Sequence, residues 1–322
     1  MKTHQDQIWI STDKEKHIVS LLNQHILSQG FVAENYDIKE TIGYPYMYHR
    51  GDTVVHCRVV DSVFLLDSDA FTRPYPNTII TDNIPLVPIS GRFINLLPEF
   101  WAMWHFEPVY QDRPATIGFN CFMNRVRGDR SLVFYELIRR QLLDHGLVSY
   151  NCNKSELINQ YEQAELYNYW QEHDVALSCI PYNTVEAHGG LEQCIIDSNI
   201  SLILETYISD SHIVFSEKIF RALQLPRPWL LYCSPGSIAW LKHYGFDVLE
   251  DYVDIFYDQL TDHHTRLKVI LDQLEIFINR SYTQHDYDRF NQAANHNQTR
   301  LKQLEQEWPE KFNRILKEIK QV

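Results

Sequence analysis

The sequence predicts an α/β protein with a parallel, helix-covered sheet in its second half and helices at its end. Three observations carry that expectation. Between about residues 115 and 249, short apolar runs alternate with segments whose apolar residues recur at helical spacing. Those runs are apolar almost throughout, as strands covered on both faces are. After about residue 260 the chain turns charged and helical. With 322 residues it is long enough for two domains.

The N-terminal part, 1–110, mixes strand candidates with turns. VVHCRVV (54–60) and SVFLLDSD (62–69) read as strands, and NTIITDNIPLVPI (77–89) as an extended stretch punctuated by proline. FINLLPEFWAMWHF (93–106) reads as a short strand or turn up to Pro98 and a core helix after it. EPVYQDRP (107–114) has the composition of a linker.

The second domain is expected over 111–260. It opens with the strand ATIGFNCFM (115–123), the basic loop NRVRGDR (124–130) and the helix SLVFYELIRRQLLDHG (131–146). LVSYN (147–151) follows as a strand, then a polar helix around 154–172, then VALSCI (175–180). ISLILET (200–206) is a strand, SEKIFRALQ (216–224) a short helix stopped by Pro226, and PWLLYC (228–233) another strand. SPGSIAWLKHYG (234–245) is a turn and helix with Gly245 past its end, and FDVL (246–249) a last short strand. In the tail, 261–322, His263-His264 falls in a loop and RLKVILDQLEIFI (266–278) is an amphipathic helix. A second, charged helix over 297–322 is expected to break at Pro309.

A net charge of −13 argues against duplex nucleic acid as a partner, because non-specific affinity comes from neutralising phosphates. The start MKTHQDQIWIST lacks the apolar core of a secretory signal, and no run of about 18 apolar residues suggests a membrane span. Six cysteines are scattered without a C-x-x-C pair, which suits buried thiols in a reducing cytoplasm.

Two loops carry the chemistry. In FSEKIFRAL, Ser216 reads as the N-cap, and Phe215 and Phe220 have the spacing of a hydrophobic staple. Glu217 suits the positive helix end, whereas Lys218 faces it as a cation. Arg125, Arg127 and Arg130 occupy the loop after 115–123, again where a helix begins. If the two strands are neighbours, these cations converge outside the carboxyl ends of a parallel sheet, where anionic ligands bind. The alternative is that they are solvated and pair with Asp129 or Glu217.

The stretch ETYISDSHIVFSEKIFRALQLPRPWLLYCSPGSIAWL resembles the donor-binding signature of fucosyltransferase-like glycosyltransferases, which have two Rossmann-like domains (the GT-B type). Glu205 ends a strand, Ser216-Glu217-Lys218 opens a helix, and Pro228 leads the next strand. Upstream, IGFNCFMNRVRGDRSLVFYELI is similar to the family's strand–loop–arginine–helix element, with Arg130 in the phosphate-binding place. The resemblance covers about 115–245. It implies that Arg130 and Lys218 hold a donor diphosphate, that Glu217 and Glu205 address the ribose, and that transfer is inverting without metal or cofactor. The N-terminal domain would then take a hydroxyl acceptor and supply a carboxylate base. Where the family often has tyrosine, two residues before the serine, this chain has Val214, which bears on the choice of base and so on GDP-fucose as donor.

Glu40, Asp67, Asp69 and Glu99 are the N-terminal base candidates, with Asp69 and Glu99 preferred. Asp67-Ser68-Asp69 also imitates the D-x-D element by which other glycosyltransferases hold a divalent cation on a sugar diphosphate, a rival reading. A second rival is a non-catalytic nucleotide- or phospho-ligand-binding or assembly protein.

Overall fold

The computed structural model describes residues 114–123, 128–150, 190–205, 208 and 212–319, together with six short strands between Val32 and Asn95. The chain divides into two compact units. One comprises Met1–Met103, Ser211–Val214 and Leu301–Val322, the other Trp104–Asp210 and Phe215–Arg300.

The first unit holds β1 (Val32–Glu34), β2 (Met47–Arg50), β3 (Thr53–His56), β4 (Thr78–Thr81), β5 (Ile84–Pro85) and β6 (Arg92–Asn95). Its five-stranded sheet has the order β1-β2-β3-β4-β6. β1 to β3 pair antiparallel, and β3, β4 and β6 run parallel. Later in the chain β10 (His212–Ile213) pairs antiparallel with β5. Asp67, Asp69, Glu99 and Glu40 lie outside the described residues.

The second unit is α/β. β7 (Ile117–Met123), β8 (Gly146–Tyr150), β9 (Ser198–Leu204) and β11 (Trp229–Tyr232) form a sheet of order β11-β9-β7-β8, with every pairing parallel. The helices are α1 (Gly128–Arg139), α2 (Leu191–Ile196), α3 (Glu217–Leu223), α4 (Ser237–His243), α5 (His263–Ile278) and α6 (Gln284–Ile319), the last running from this unit into residues of the other. The topology is compatible with a Rossmann-like fold, since parallel strands need such crossovers.

Side-chain alternation assigns the faces. Met123 and Tyr150 are register partners, and Tyr150 stacks on Phe134 of α1 at 4.2 Å while its hydroxyl bonds Ser131 at 2.6 Å. Arg140, just past α1, reaches Asp272 and Glu275 of α5 at 2.7 and 2.9 Å, so α1 and α5 lie together. On the other parity, Asn120 and Phe122 face a pocket walled by α2 and α3. Those two helices are tied by Arg221 and Glu192 at 2.9 Å. The core is thus two apolar layers about one sheet. Cys121, Cys194 and Cys233 are buried in it as thiols, and burial pushes the last two up to about 11 and about 12.

Four local expectations need correction. FDVL is not a strand: the amide of Asp247 donates to Asn297 Oδ1 and that of Leu249 to Asp247 Oδ1, so side chains take the bonds a sheet would need. His263-His264 opens α5 rather than lying in a loop, because the Asp262 carboxylate accepts from Thr265 N–H at 2.7 Å and starts the helix there. α1 stops at Arg139, well before Gly146. Gln141 takes a left-handed φ of 59°, and Leu142 and Gln141 donate back to Leu137 and Ile138, closing a Schellman turn without glycine. α6 begins at Gln284 and continues through Pro309. A proline removes one backbone bond and crowds the preceding turn, which a helix of 36 residues survives. The segments 154–172 and 175–180 lie outside the described residues. Among the described residues no helix is long and apolar enough to cross a membrane.

Candidate functional site: the switch point of the parallel sheet

From β7 the chain leads to β8 on one side of it; from β9 it leads to β11 on the other. The strand order therefore reverses between β7 and β9, which are hydrogen-bonded neighbours. Ligands of open α/β sheets bind outside the carboxyl ends of strands at such a reversal. The segments leaving those ends carry Arg130, in the first turn of α1, and Glu205, one residue past β9. The neighbour relation that the arginine loop and the Ser-Glu-Lys helix require is thus present. Arg125 and Arg127 lie outside the described residues.

The start of α3 is built around Glu205. One oxygen of its buried carboxylate accepts the Ser216 backbone N–H at 3.1 Å, the other the Ser216 hydroxyl at 2.5 Å. Ser216 is the N-cap, its Oγ accepting from Lys218 N at 3.4 Å. Phe215 and Phe220 meet edge-on at 6.1 Å, which completes the staple. Burial drives the Glu205 carboxyl above its ordinary value; Lys218 and the Ser216 hydrogen bonds oppose that without reversing it.

The Lys218 ammonium sits 2.8 Å from Ser216 Oγ, 3.5 Å from Glu217 and 3.9 Å from Glu205. The cation at the positive helix end is stabilised by two carboxylates of its own chain, one buried and one half-exposed. At Glu217 burial pushes upward, but the ammonium of Lys218, the helix N–H and the guanidinium of Arg221 outweigh it. Its carboxyl lies below the ordinary value and is ionised at neutral pH. Arg130 is buried, and its guanidinium opposes the upward push that burial gives the Cys121 thiol. It is therefore close enough to Cys121 of β7 to act on its thiol and is not out in solvent.

Beside this cluster is a pocket of about 120 Å³. Phe122, Leu191, Ile195 and Ile203 supply apolar wall, and Glu217, Lys218 and Arg221 stand in its lining with them. Asn120 is the polar residue of its strand wall and is 1% exposed. Its Nδ2 donates to Ser201 Oγ at 2.8 Å, while Oδ1 has no hydrogen-bond partner among the described residues. Sequence reasoning missed Asn120, Ser201 and Arg221. The available signal was a pair of polar residues, each inside an apolar strand run, which the register places side by side.

No family model, no curated protein and no solved structure matches this chain.

Proposed function

We propose that the second unit binds a nucleoside-diphosphate sugar at the β7/β9 reversal and that the protein is an inverting, metal-independent glycosyltransferase. The observation that carries this is positional. Arg130 and the Glu205–Ser216–Lys218 cluster leave the carboxyl ends of two adjacent parallel strands. In this reading Arg130 and Lys218, with Arg125 and Arg127, stabilise the charge that develops on the departing diphosphate. Glu217, ionised and at the pocket lining, accepts hydrogen bonds from ribose hydroxyls. A hydroxyl oxygen of the acceptor attacks the anomeric carbon, the bond to the diphosphate breaks, and a carboxylate takes the hydroxyl proton. Asp69 and Glu99 are the proposed bases. The donor sugar, GDP-fucose included, is left to the test.

A second reading is a nucleotide-binding module without transfer, which needs no base; the pairing of Lys218 with Glu217 and Glu205 bears on both readings alike. The experiment is to incubate the full chain with sugar nucleotides and acceptor glycans, with and without EDTA, and to measure free nucleoside diphosphate. Acceptor-dependent release that survives EDTA is expected. Release lost on chelation would move the chemistry to Asp67 and Asp69. Binding of nucleoside diphosphates without turnover would leave the module reading standing, and neither binding nor turnover would sink both.

A further inference from the structure

We propose that Glu205 is a positioning residue that holds the Lys218 ammonium for an anionic ligand and takes up a proton when that anion binds. The inference rests on the nucleoside-diphosphate reading above and deepens it, adding a pH control to the same site. The geometry of the cluster carries it.

Glu205 lies one residue past β9, and its amide donates to Tyr232 O at 3.1 Å, so strand pairing continues through its backbone. Its side chain is 0% exposed. Two neutral donors hold the carboxylate, the Ser216 N–H and hydroxyl, and the Lys218 ammonium stands 3.9 Å from it. Also near it, among the described residues, are Glu217 of α3, whose charge repels its own, and the Cys233 thiol past β11. Burial pushes that thiol up to about 12, so it is neutral. Lys218 is the cation that favours the charged form of Glu205, against burial that disfavours it.

The same lysine side chain is 24% exposed and belongs to the lining of the pocket. An anion on Lys218 draws the ammonium away from Glu205 and brings a further negative charge near the carboxylate. Both effects favour the uncharged carboxyl, which burial already favours. Glu205 therefore titrates at a higher pH in the complex than in the free protein. Between those two values binding takes up a proton, and affinity falls as pH rises, by at most about tenfold per pH unit.

The test is calorimetric titration of the full chain with UDP-glucose, GDP-mannose and P,P′-dimethyl diphosphate, between about pH 5 and pH 8, in buffers of different ionisation enthalpy. Each probe is a diphosphate esterified at both ends, so its own charge is constant over that range. The measured enthalpy is expected to depend on the buffer as net proton uptake requires, and affinity to decline as pH rises. Glu205→Gln should bind without the buffer dependence or the decline; a merely structural glutamate would alter stability or affinity and leave both in place. Infrared difference spectra of the unaltered protein with isotope-labelled glutamate decide the matter even if that variant folds poorly. Adding ligand should then raise the carbonyl band of a protonated, labelled carboxyl. Binding without proton uptake, or uptake that persists in Glu205→Gln, overturns the assignment while the diphosphate site stands. If none of the three probes binds, both fall together.

Discussion

Two helix starts in the same unit solve the same electrostatic problem differently. At α4, Gly236 occupies the cap position with a φ of 81° and offers no side chain. Asp258 substitutes for it, its two oxygens accepting from Ile238 N–H and Ala239 N–H at 3.1 Å each. At α3 the buried carboxylate of Glu205 acts one step back, holding the Ser216 N–H and hydroxyl, and the serine oxygen meets the helix. Both carboxylates are pushed above their ordinary values, first by burial. The difference is Lys218. A helix start needs an acceptor, as α4 shows, and no cation. The α4 start thus does without a cation, whereas at α3 Lys218 bonds the cap serine, pairs with Glu205 and also stands with Glu217 in the lining of the pocket.

The sharpest way to break that contrast is Lys218→Ala. If the lysine serves a ligand, affinity for a nucleoside diphosphate falls on the order of 100-fold, as when one partner of a charge-assisted contact is truncated. The melting temperature should fall as well, because Lys218 donates to Ser216 Oγ and stands beside the buried Glu205 carboxylate, but the protein should stay folded since the cap bonds between Ser216 and Glu205 remain. Calorimetry and a thermal melt on the same preparation read both. A variant that melts much earlier but binds normally would make the lysine a purely structural partner of Glu205.

Asp258→Ala is the mirror experiment. It leaves the buried Ile238 N–H and the part-buried Ala239 N–H without their acceptor, a loss of about 2 kcal/mol in unfolding free energy. Urea denaturation should show that loss while nucleoside-diphosphate affinity stays unchanged. Loss of affinity in a still-folded variant would mean that the two helix starts are not functionally distinct.

How far the sequence carried these conclusions differs between fold and site. Strand–helix alternation was legible because β7, β8, β9 and β11 are apolar runs bounded by turn residues. The cap and staple at α3 were legible for the same local reason: Ser216, Phe215 and Phe220 lie within one turn and a half of chain. What distant residues decide was not legible. FDVL has strand composition, yet Asn297, far along the chain, takes the bond of its Asp247 amide. Glu205 and Ser216 were each visible as motif letters, but their mutual bonds, the partners of Lys218 and the pocket at Asn120 exist only once β7 and β9 are side by side.

Glu205→Gln tests the buried carboxylate itself. Its folded carboxyl is raised above 4.5, so the folded state keeps that proton to higher pH than the unfolded chain does. Stability linked to Glu205 is thus fully present below about 4.5 and declines as pH rises from there to the raised folded value, by at most about 1.4 kcal/mol per pH unit. The glutamine variant cannot titrate and should lack that decline. Urea midpoints measured from pH 4 upward for both proteins check it; parallel pH profiles would show that burial does not govern this carboxylate.

The smallest effect is expected at the third helix start. Asp262 caps α5 through Thr265, as Asp258 serves α4, but it does so in solvent. Its carboxyl is held below 3.8 by hydrogen bonds from Thr265, which outweigh the smaller upward push of desolvation. The linkage therefore has the opposite sign to that of Glu205: its stabilisation is present above about 3.8 and is lost as pH falls through the lower folded value. Asp262→Ala should lower the melting temperature at pH 7 by less than Asp258→Ala does, since water can satisfy the exposed N–H that the aspartate leaves. The deficit should shrink toward zero under acid conditions, where the unaltered protein also loses its carboxylate. A deficit as large as that of Asp258→Ala, or one that persists undiminished in acid, would show that the depth of the carboxylate is not what separates these helix starts.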